Sequence, residues 1–289
     1  MYGLPEVQLS MSDTVSEWWD ICAQASFPMA DGLVRAVAEL IFGVQTEENV
    51  VRAQGWIRRR FHLSTGRMLE LLAEAVAPRV VVEKTPGTVY NRIFLQRFGA
   101  MFPDARYLHL VRHPRGNAES VLKALDDLQL FGAPMQWVID LASYPTIAPN
   151  QLPDSRHKAA ELDPQKGWYV LNQNIRSFLR NIPAKRKLMV RGEDVLSDPD
   201  KMLREIVGWL GLRTDSEAIA AMKQPEESPY ARPGPPGAQY GNDPLFVRDP
   251  VLRPGRARTQ SIDGPLGWKK DGAEFLPEVK TLAAEFGYS

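Results

Sequence analysis

Three short apolar runs constrain this chain more than any other feature. Arg79–Glu83, Arg106–Arg112 and Lys187–Arg191 are aliphatic or β-branched in the middle and bounded by charge. Helical patterns surround them. Val50, Trp56, Ile57 and Phe61 recur at helical spacing, as do Met68, Leu69, Leu72 and Val76, so residues 14–78 read as helices. Residues 88–101 continue the pattern, and Trp168, Leu171, Ile175 and Phe178 mark another helix face. Strands that alternate with helices pair in parallel, because a parallel neighbour needs a long crossover. The expected fold is α/β, a mostly parallel, doubly wound sheet with helices on both faces. Ligands in such sheets sit beyond the carboxyl ends of the strands. That rule points to Glu83–Pro86, Arg112–Ser120 and Arg191–Asp194.

Other punctuation is local. Asp198 reads as an N-cap, Pro199 as the first helical residue and Gly211 as the stop, with Leu203, Ile206, Val207 and Leu210 as the apolar stripe. Prolines 145, 149, 153 and 164 mark residues 140–164 as a lid loop. Pro and Gly are dense again from residue 225, so 225–270 reads as a cap loop before a last helix near 272–286. One domain over 1–289 accommodates all of this.

Composition narrows the partners. Lys plus Arg and Asp plus Glu both number 35, so no global basic field draws the chain to nucleic acid or an anionic membrane. A single cysteine, Cys22, makes no internal disulfide, which suits a reducing, cytoplasmic setting. No apolar run has the length of a membrane span, and MYGLPEVQLSMSD lacks the regions of a signal peptide. His62, His109, His113 and His157 are scattered without metal-ligand spacing, so no metal is expected.

An anion site is the strongest local signal. Arg112 ends a strand, and Ser120 lies in the helix that follows. A guanidinium fork matches paired phosphate oxygens, and a helix start offers free N–H groups. The residues alone leave an alternative open, in which Arg112 pairs with a carboxylate and Ser120 bonds back along its helix. The longer stretch Phe102-Pro-Asp-Ala-Arg-Tyr-Leu-His-Leu-Val-Arg-His-Pro-Arg-Gly-Asn-Ala-Glu-Ser120 resembles the segment of sulfotransferases that holds the 3′-phosphate of 3′-phosphoadenosine 5′-phosphosulfate (PAPS). Glu83-Lys84-Thr85-Pro86 is similar to a strand end of bacterial sulfotransferases. Val190-Arg-Gly-Glu-Asp194 is similar to the family's Tyr-Glu-Asp-Leu segment. Lys166–Ile175 and Ile262–Lys269 resemble the sulfotransferase domains embedded in polyketide synthases, and Pro5-Glu6-Val-Gln-Leu9 resembles the Pro-Glu-x-x-Leu that follows the phosphosulfate loop.

The resemblance implies a P-loop-like fold and sulfuryl transfer from PAPS to a hydroxyl on a small molecule or an acyl chain. It assigns Arg112 and Ser120 to the cofactor's 3′-phosphate and Lys84 to the transferring group. Glu6 becomes the candidate base, since tyrosylprotein-type enzymes use a Glu near that point; the alternative is a frayed near-terminal residue with no role. Lys84 could instead be a surface lysine paired with Glu83 or another acid. Polyketide-associated relatives take a His from the cap, but Tyr230–Phe246 contains none. Arg253, Arg256 and Arg258 form a basic cluster in a region that can fold over the nucleotide in the family, or else a solvated basic loop. Trp168 and Trp268 suit either adenine stacking or a core. The Pro-x-Ser/Thr-Gly-Thr-Thr loop and its strand are not found here, so the expected sheet lacks its first central strand and the domain is truncated at its N-terminal side. Two readings follow, an active sulfotransferase or a non-catalytic nucleotide-binding or interaction module on the same scaffold. A nucleotide kinase-like enzyme is disfavoured, because neither Walker motif is present.

Overall fold

Parallel pairing and helical periodicity both appear, divided between two compact units. The computed structural model describes residues 1–25, 28–130, 163–255 and 260–289. The first unit comprises Met1–Pro103 with Gln224–Val251, and the second comprises Asp104–Lys223 with Leu252–Ser289. Most of the expected lid, residues 140–162, lies outside the described residues, as do Arg256 and Arg258.

The first unit is built on four helices, α1 (Val15–Gln24), α2 (Asp31–Phe42), α3 (Glu47–Arg58) and α4 (Thr65–Val76). Their starts are fixed chemically. Thr14 and Glu17 form a reciprocal capping box at α1, while Thr46 and Ser64 accept backbone N–H groups at α3 and α4. Val7, Trp18, Leu33, Val37, Ile57, Met68 and Leu72 fill the core between them. The Trp18 indole donates to the Val7 carbonyl at 3.1 Å, which ties the N-terminal segment to α1.

Strand β1 (Tyr2–Gly3) pairs in parallel with β2 (Val81–Val82), in the register Tyr2↔Val81 and Gly3↔Val82. The sequence marks only the second of these as a strand. It also suggests burial, whereas Val80 and Val82 are exposed. A two-stranded pair packs one side on the core and leaves the other without cover. After β2 the expected helix is broken into α5 (Gly87–Tyr90) and α6 (Arg92–Met101). Asn91 is extended at the break, and its side chain accepts from the Ile93 N–H at 2.9 Å.

In the second unit, β3 (Tyr107–Val111) pairs in parallel with β4 (Lys187–Arg191) over five residue pairs. His109 and Val111 are buried while Leu108 and Leu110 are exposed, so this pair too is covered on one side. Helix α7 (Pro114–Leu130) follows β3, and α8 (Pro164–Leu179) precedes β4. Helix α9 (Gly192–Ser197) leads to α10 (Pro199–Trp209), where Asp198 caps the start at 3.1 Å. Gly211 at φ +72 closes its end, with Leu212 N–H bonded to Val207 O and Gly211 N–H to Gly208 O, both at 2.9 Å. The stop signals read from the sequence are therefore realised. Helices α11 (Ser216–Met222) and α12 (Pro244–Arg248) are short, the latter lying in the Pro- and Gly-rich stretch of the first unit. The last helix, α13 (Pro277–Glu285), packs Val279, Leu282 and Ala283 into a core with Val111, Trp168 and Phe286. Trp168 is thus a core residue.

Leu72 is fully buried in the first core. Leu72→Ala should cost about 2–5 kcal/mol of unfolding free energy in a urea titration. A loss within the range of surface substitutions, below about 0.5 kcal/mol, would contradict the assigned core.

Candidate active site

The β1–β2 register decides what meets at the carboxyl end of the first pair. Gly3 stands opposite Val82, and the Leu4 N–H extends the ladder to Val82 O at 2.9 Å. Glu6 then lies three residues beyond Gly3, the end of β1, and Lys84 two beyond Val82, the end of β2. The Lys84 ammonium and a Glu6 carboxylate oxygen form an ion pair at 2.6 Å, across 78 residues of chain. The lysine side chain is 59% exposed and the glutamate 18%. Exposed pairs of this kind contribute only about 0–1 kcal/mol to stability.

Two threonines fasten the start of α5 to the Glu6 segment. The Thr85 hydroxyl faces the Gln8 N–H at 3.4 Å, and Thr88 Oγ1 bonds Ser10 Oγ at 2.8 Å. Gln8 sits between them at φ 58, the single non-glycine residue with positive φ among the described residues. Its buried Oε1 has no hydrogen-bond partner. Strained backbone and an orphaned polar atom in one residue are features that collect at functional sites. No signal in the sequence marks Gln8 in this way.

Glu83 is the most perturbed carboxyl beside the pair. Burial pushes it up from its ordinary value to about 7, helped by repulsion from Glu6, while a hydrogen bond with Thr85 and the charge of Lys84 pull it down. Lys84 therefore has two acids within reach of its charge, and the direct contact is with Glu6.

Arg112 follows the last residue of β3 in the second unit, and Ser120 lies six residues past the start of α7. The Arg112 guanidinium is exposed and has no carboxylate or carbonyl partner among the described residues; the Ser120 hydroxyl likewise makes no hydrogen bond there. The backbone around them is held firmly. Trp168 Nε1 donates to Arg112 O at 2.9 Å, and Gly192 packs against the Arg112 side chain.

His113 caps α7. Its Nδ1 accepts from the Arg115 N–H at 3.1 Å, and its carbonyl accepts from the Asn117 N–H at 2.9 Å. Its own N–H donates to Glu193 Oε1 at 2.9 Å, while Glu193 Oε2 receives the Tyr288 hydroxyl at 2.7 Å. Burial lowers the His113 pKa, with the nearby Arg115 adding to the effect and Glu193 opposing it. A neutral ring accepting at Nδ1 is what a cap requires. Arg115 folds the other way and clasps the carbonyls of Ser261, Asp263, Gly264 and Pro265 at 2.8–3.3 Å. The sequence gives Glu193, Tyr288 and Arg115 no role, although Glu193 and Arg115 both lie inside segments it singles out.

Comparisons with known proteins settle the family. A model described as the Sulfotransferase family matches residues 58–216, more than half of the chain. The chain belongs to the sulfotransferase family. The matched span contains Lys84, Arg112 and Ser120, while Glu6 lies before it. This family member is 27% identical over 172 residues to mouse heparan sulfate glucosamine 3-O-sulfotransferases 3B1 and 3A1, covering 56% of this chain and 40% of each relative. It thus spans about two fifths of the length of the curated relatives it matches. In fold it is similar to the sulfotransferase domain from the curacin biosynthetic pathway, with a TM-score of 0.70 at 22% identity, covering 99% of this chain and 88% of that one. The sulfotransferase domain from the Synechococcus PCC 7002 olefin synthase gives 0.67 at 22% identity, covering 99% and 84%. Both likenesses support the α/β fold.

The Glu83 carboxyl makes stability depend on pH in a stated direction. At low pH it is protonated in both states. Above its ordinary value of 4.5 the unfolded chain releases the proton while the folded chain holds it to about 7. Folding stability is therefore lost as pH rises through that window, by roughly 2–3 kcal/mol. Urea unfolding of wild type and Glu83→Gln at both ends of the window should show wild type losing that much more than the variant. A difference that stays constant with pH would contradict the assignment.

Proposed function

We propose that this chain transfers a sulfuryl group from PAPS to an acceptor hydroxyl on a small molecule or an acyl chain. The Lys84–Glu6 ion pair carries the proposal, because it joins the two residues assigned to the chemistry from opposite ends of the first hundred residues. The pair adds little to stability, and what supports a functional reading is its place at the carboxyl end of a parallel strand pair, where ligands of such sheets bind.

The residues fit the donor nucleotide chemically. Arg112 is exposed and, among the described residues, its guanidinium fork has no partner; the Ser120 hydroxyl on the helix that follows likewise has none there. Both suit the 3′-phosphate. PAPS supplies an activated sulfuryl group whose leaving group is 3′,5′-diphosphoadenosine. Lys84 places positive charge where oxygen charge develops during in-line transfer, a task of positioning and electrostatics. Glu6 takes the proton of the attacking hydroxyl as its oxygen bonds to sulfur. The ion pair keeps that carboxylate oriented and next to the ammonium until the acceptor enters. The heparan sulfate enzymes named above act by name on a glucosamine hydroxyl, which agrees with a hydroxyl acceptor here.

The nucleotide and the chemistry are tested separately. Titration with 3′,5′-diphosphoadenosine should raise the melting temperature by linkage, and Arg112→Ala should abolish that shift. A folded wild type that shows no shift contradicts the nucleotide site. For transfer, sulfur-35 PAPS is incubated with a panel of alkyl and sugar alcohols and labelled sulfate esters are counted. Glu6→Gln should lower the rate about 10²–10⁴-fold, and Lys84→Ala about 10²–10³-fold. Nucleotide binding without label transfer would instead support the non-catalytic module.

A further inference from the structure

We infer that Gly32 and Arg35 are positioning residues that hold the Glu6 backbone in register with Lys84 through the loop ending at Gly241. The inference rests on the reading of Glu6 as the base and extends it to groups that neither the motifs nor the family match pick out.

Glu6 sits on an irregular segment between β1 and the turn at Leu9–Met11. Such a segment does not aim a carboxylate by itself. Its backbone is instead gripped on two sides. The Glu6 N–H donates to Gly241 O at 2.8 Å. The Glu6 carbonyl lies against Gly32, so closely that a Cβ there would stand 2.0 Å from the oxygen and 2.6 Å from the carbon. Gly32 occupies the first turn of α2, where Ala is favoured over Gly by about 1 kcal/mol. The close approach accounts for the absence of a side chain. Gly241 completes the packing at φ +94, where a Cβ would meet Gly32 N and Cα at 2.5 Å.

Arg35 fixes the loop that carries Gly241. Arg35 is 1% exposed, and each of its three guanidinium nitrogens donates a hydrogen bond. Nη1 donates to Tyr240 O at 3.0 Å, Nη2 to Arg232 O at 2.8 Å and Nε to Gln45 Oε1 at 2.7 Å. Asp31, one turn earlier, accepts the Tyr240 N–H at 2.9 Å. Gln45 bonds onward to Pro229 O at 2.9 Å. A Pro- and Gly-rich loop with little regular structure is thus wrapped around one buried cation, and its last residues present Gly241 to Glu6. A buried charge held by this many acceptors resists displacement, since each lost bond leaves a desolvated group.

A Cβ on Gly32 must displace Glu6 by about 1 Å, and a misplacement of that size costs about 10²-fold in rate. The test uses the full chain and two readouts. The first is acetylation of Lys84 by limiting acetic anhydride, scored by mass spectrometry against the exposed Lys201. Gly32→Ala should raise Lys84 labelling several-fold, to the level of Glu6→Gln, because the amine loses its carboxylate. The second is sulfuryl transfer with an acceptor from the alcohol panel, where kcat should fall about 10–100-fold with KM for PAPS within about threefold. Arg35→Lys keeps the charge but loses the fork, and should move both readouts the same way; it decides the question if Gly32→Ala does not fold. Lower thermal stability alone, with wild-type Lys84 labelling and kcat in a folded variant, overturns the inference. Should Glu6→Gln leave kcat intact, the base assignment fails while the labelling still judges the clamp.

Discussion

The parallel contact between β1 and β2 is the interaction on which the chemistry proposed for the first unit depends. It is only two residues long, yet its register leaves Glu6 and Lys84 side by side at the same carboxyl end. So short a ladder does not hold itself. It is supported by the Val7 and Trp18 anchorage, by Thr85 and Thr88 on the α5 side, and by Gly32 and Gly241 against the Glu6 backbone. The stabilising work is done by buried apolar surface and backbone packing. The exposed ion pair adds little to it. That division leaves the pair free to exchange a protein contact for a substrate contact.

The second unit solves a different problem by different means. A longer parallel pair leads to Arg112, whose backbone is held by Trp168 while its guanidinium has no partner among the described residues. The start of α7 is capped by a neutral His113, and Glu193 and Tyr288 tie that cap to β4 and to the chain end. The tied groups are backbone, buried side chains and the half-buried Glu193, while the two side chains assigned to the nucleotide have no partner among the described residues. Orienting an exposed donor with buried neighbours is how a site binds an anion without paying for reorganisation.

Much of this was legible in the sequence. Charge-bounded apolar runs mark three of the four strands among the described residues, and the Asp198, Pro199 and Gly211 signals mark one helix at both ends. The Arg112–Ser120 segment located the family before any coordinates. Strand β1 was illegible because two residues carry no periodicity. The exposure of Val82, Leu108 and Leu110 was illegible too, since apolar content reports strand character and not how many neighbours a strand has. The sequence left Lys84 either a site lysine or a surface lysine paired with Glu83 or another acid; the exposed pair with Glu6 fits the second description, and its acid was illegible because it comes from a long-range register. Gln8, Gly32 and Arg35 were invisible for a related reason. Their roles come from backbone approach between segments far apart in the chain, which no local pattern encodes.

A double-variant cycle on sulfuryl transfer tests the central claim most directly. Glu6→Gln, Lys84→Met and the double variant are compared with wild type by initial rates of label transfer from sulfur-35 PAPS. If the two side chains act as one unit, the double variant loses no more than about the larger single loss. Losses that multiply, with the double variant slower by the product of the two single effects, would show that the residues act independently and would contradict the account.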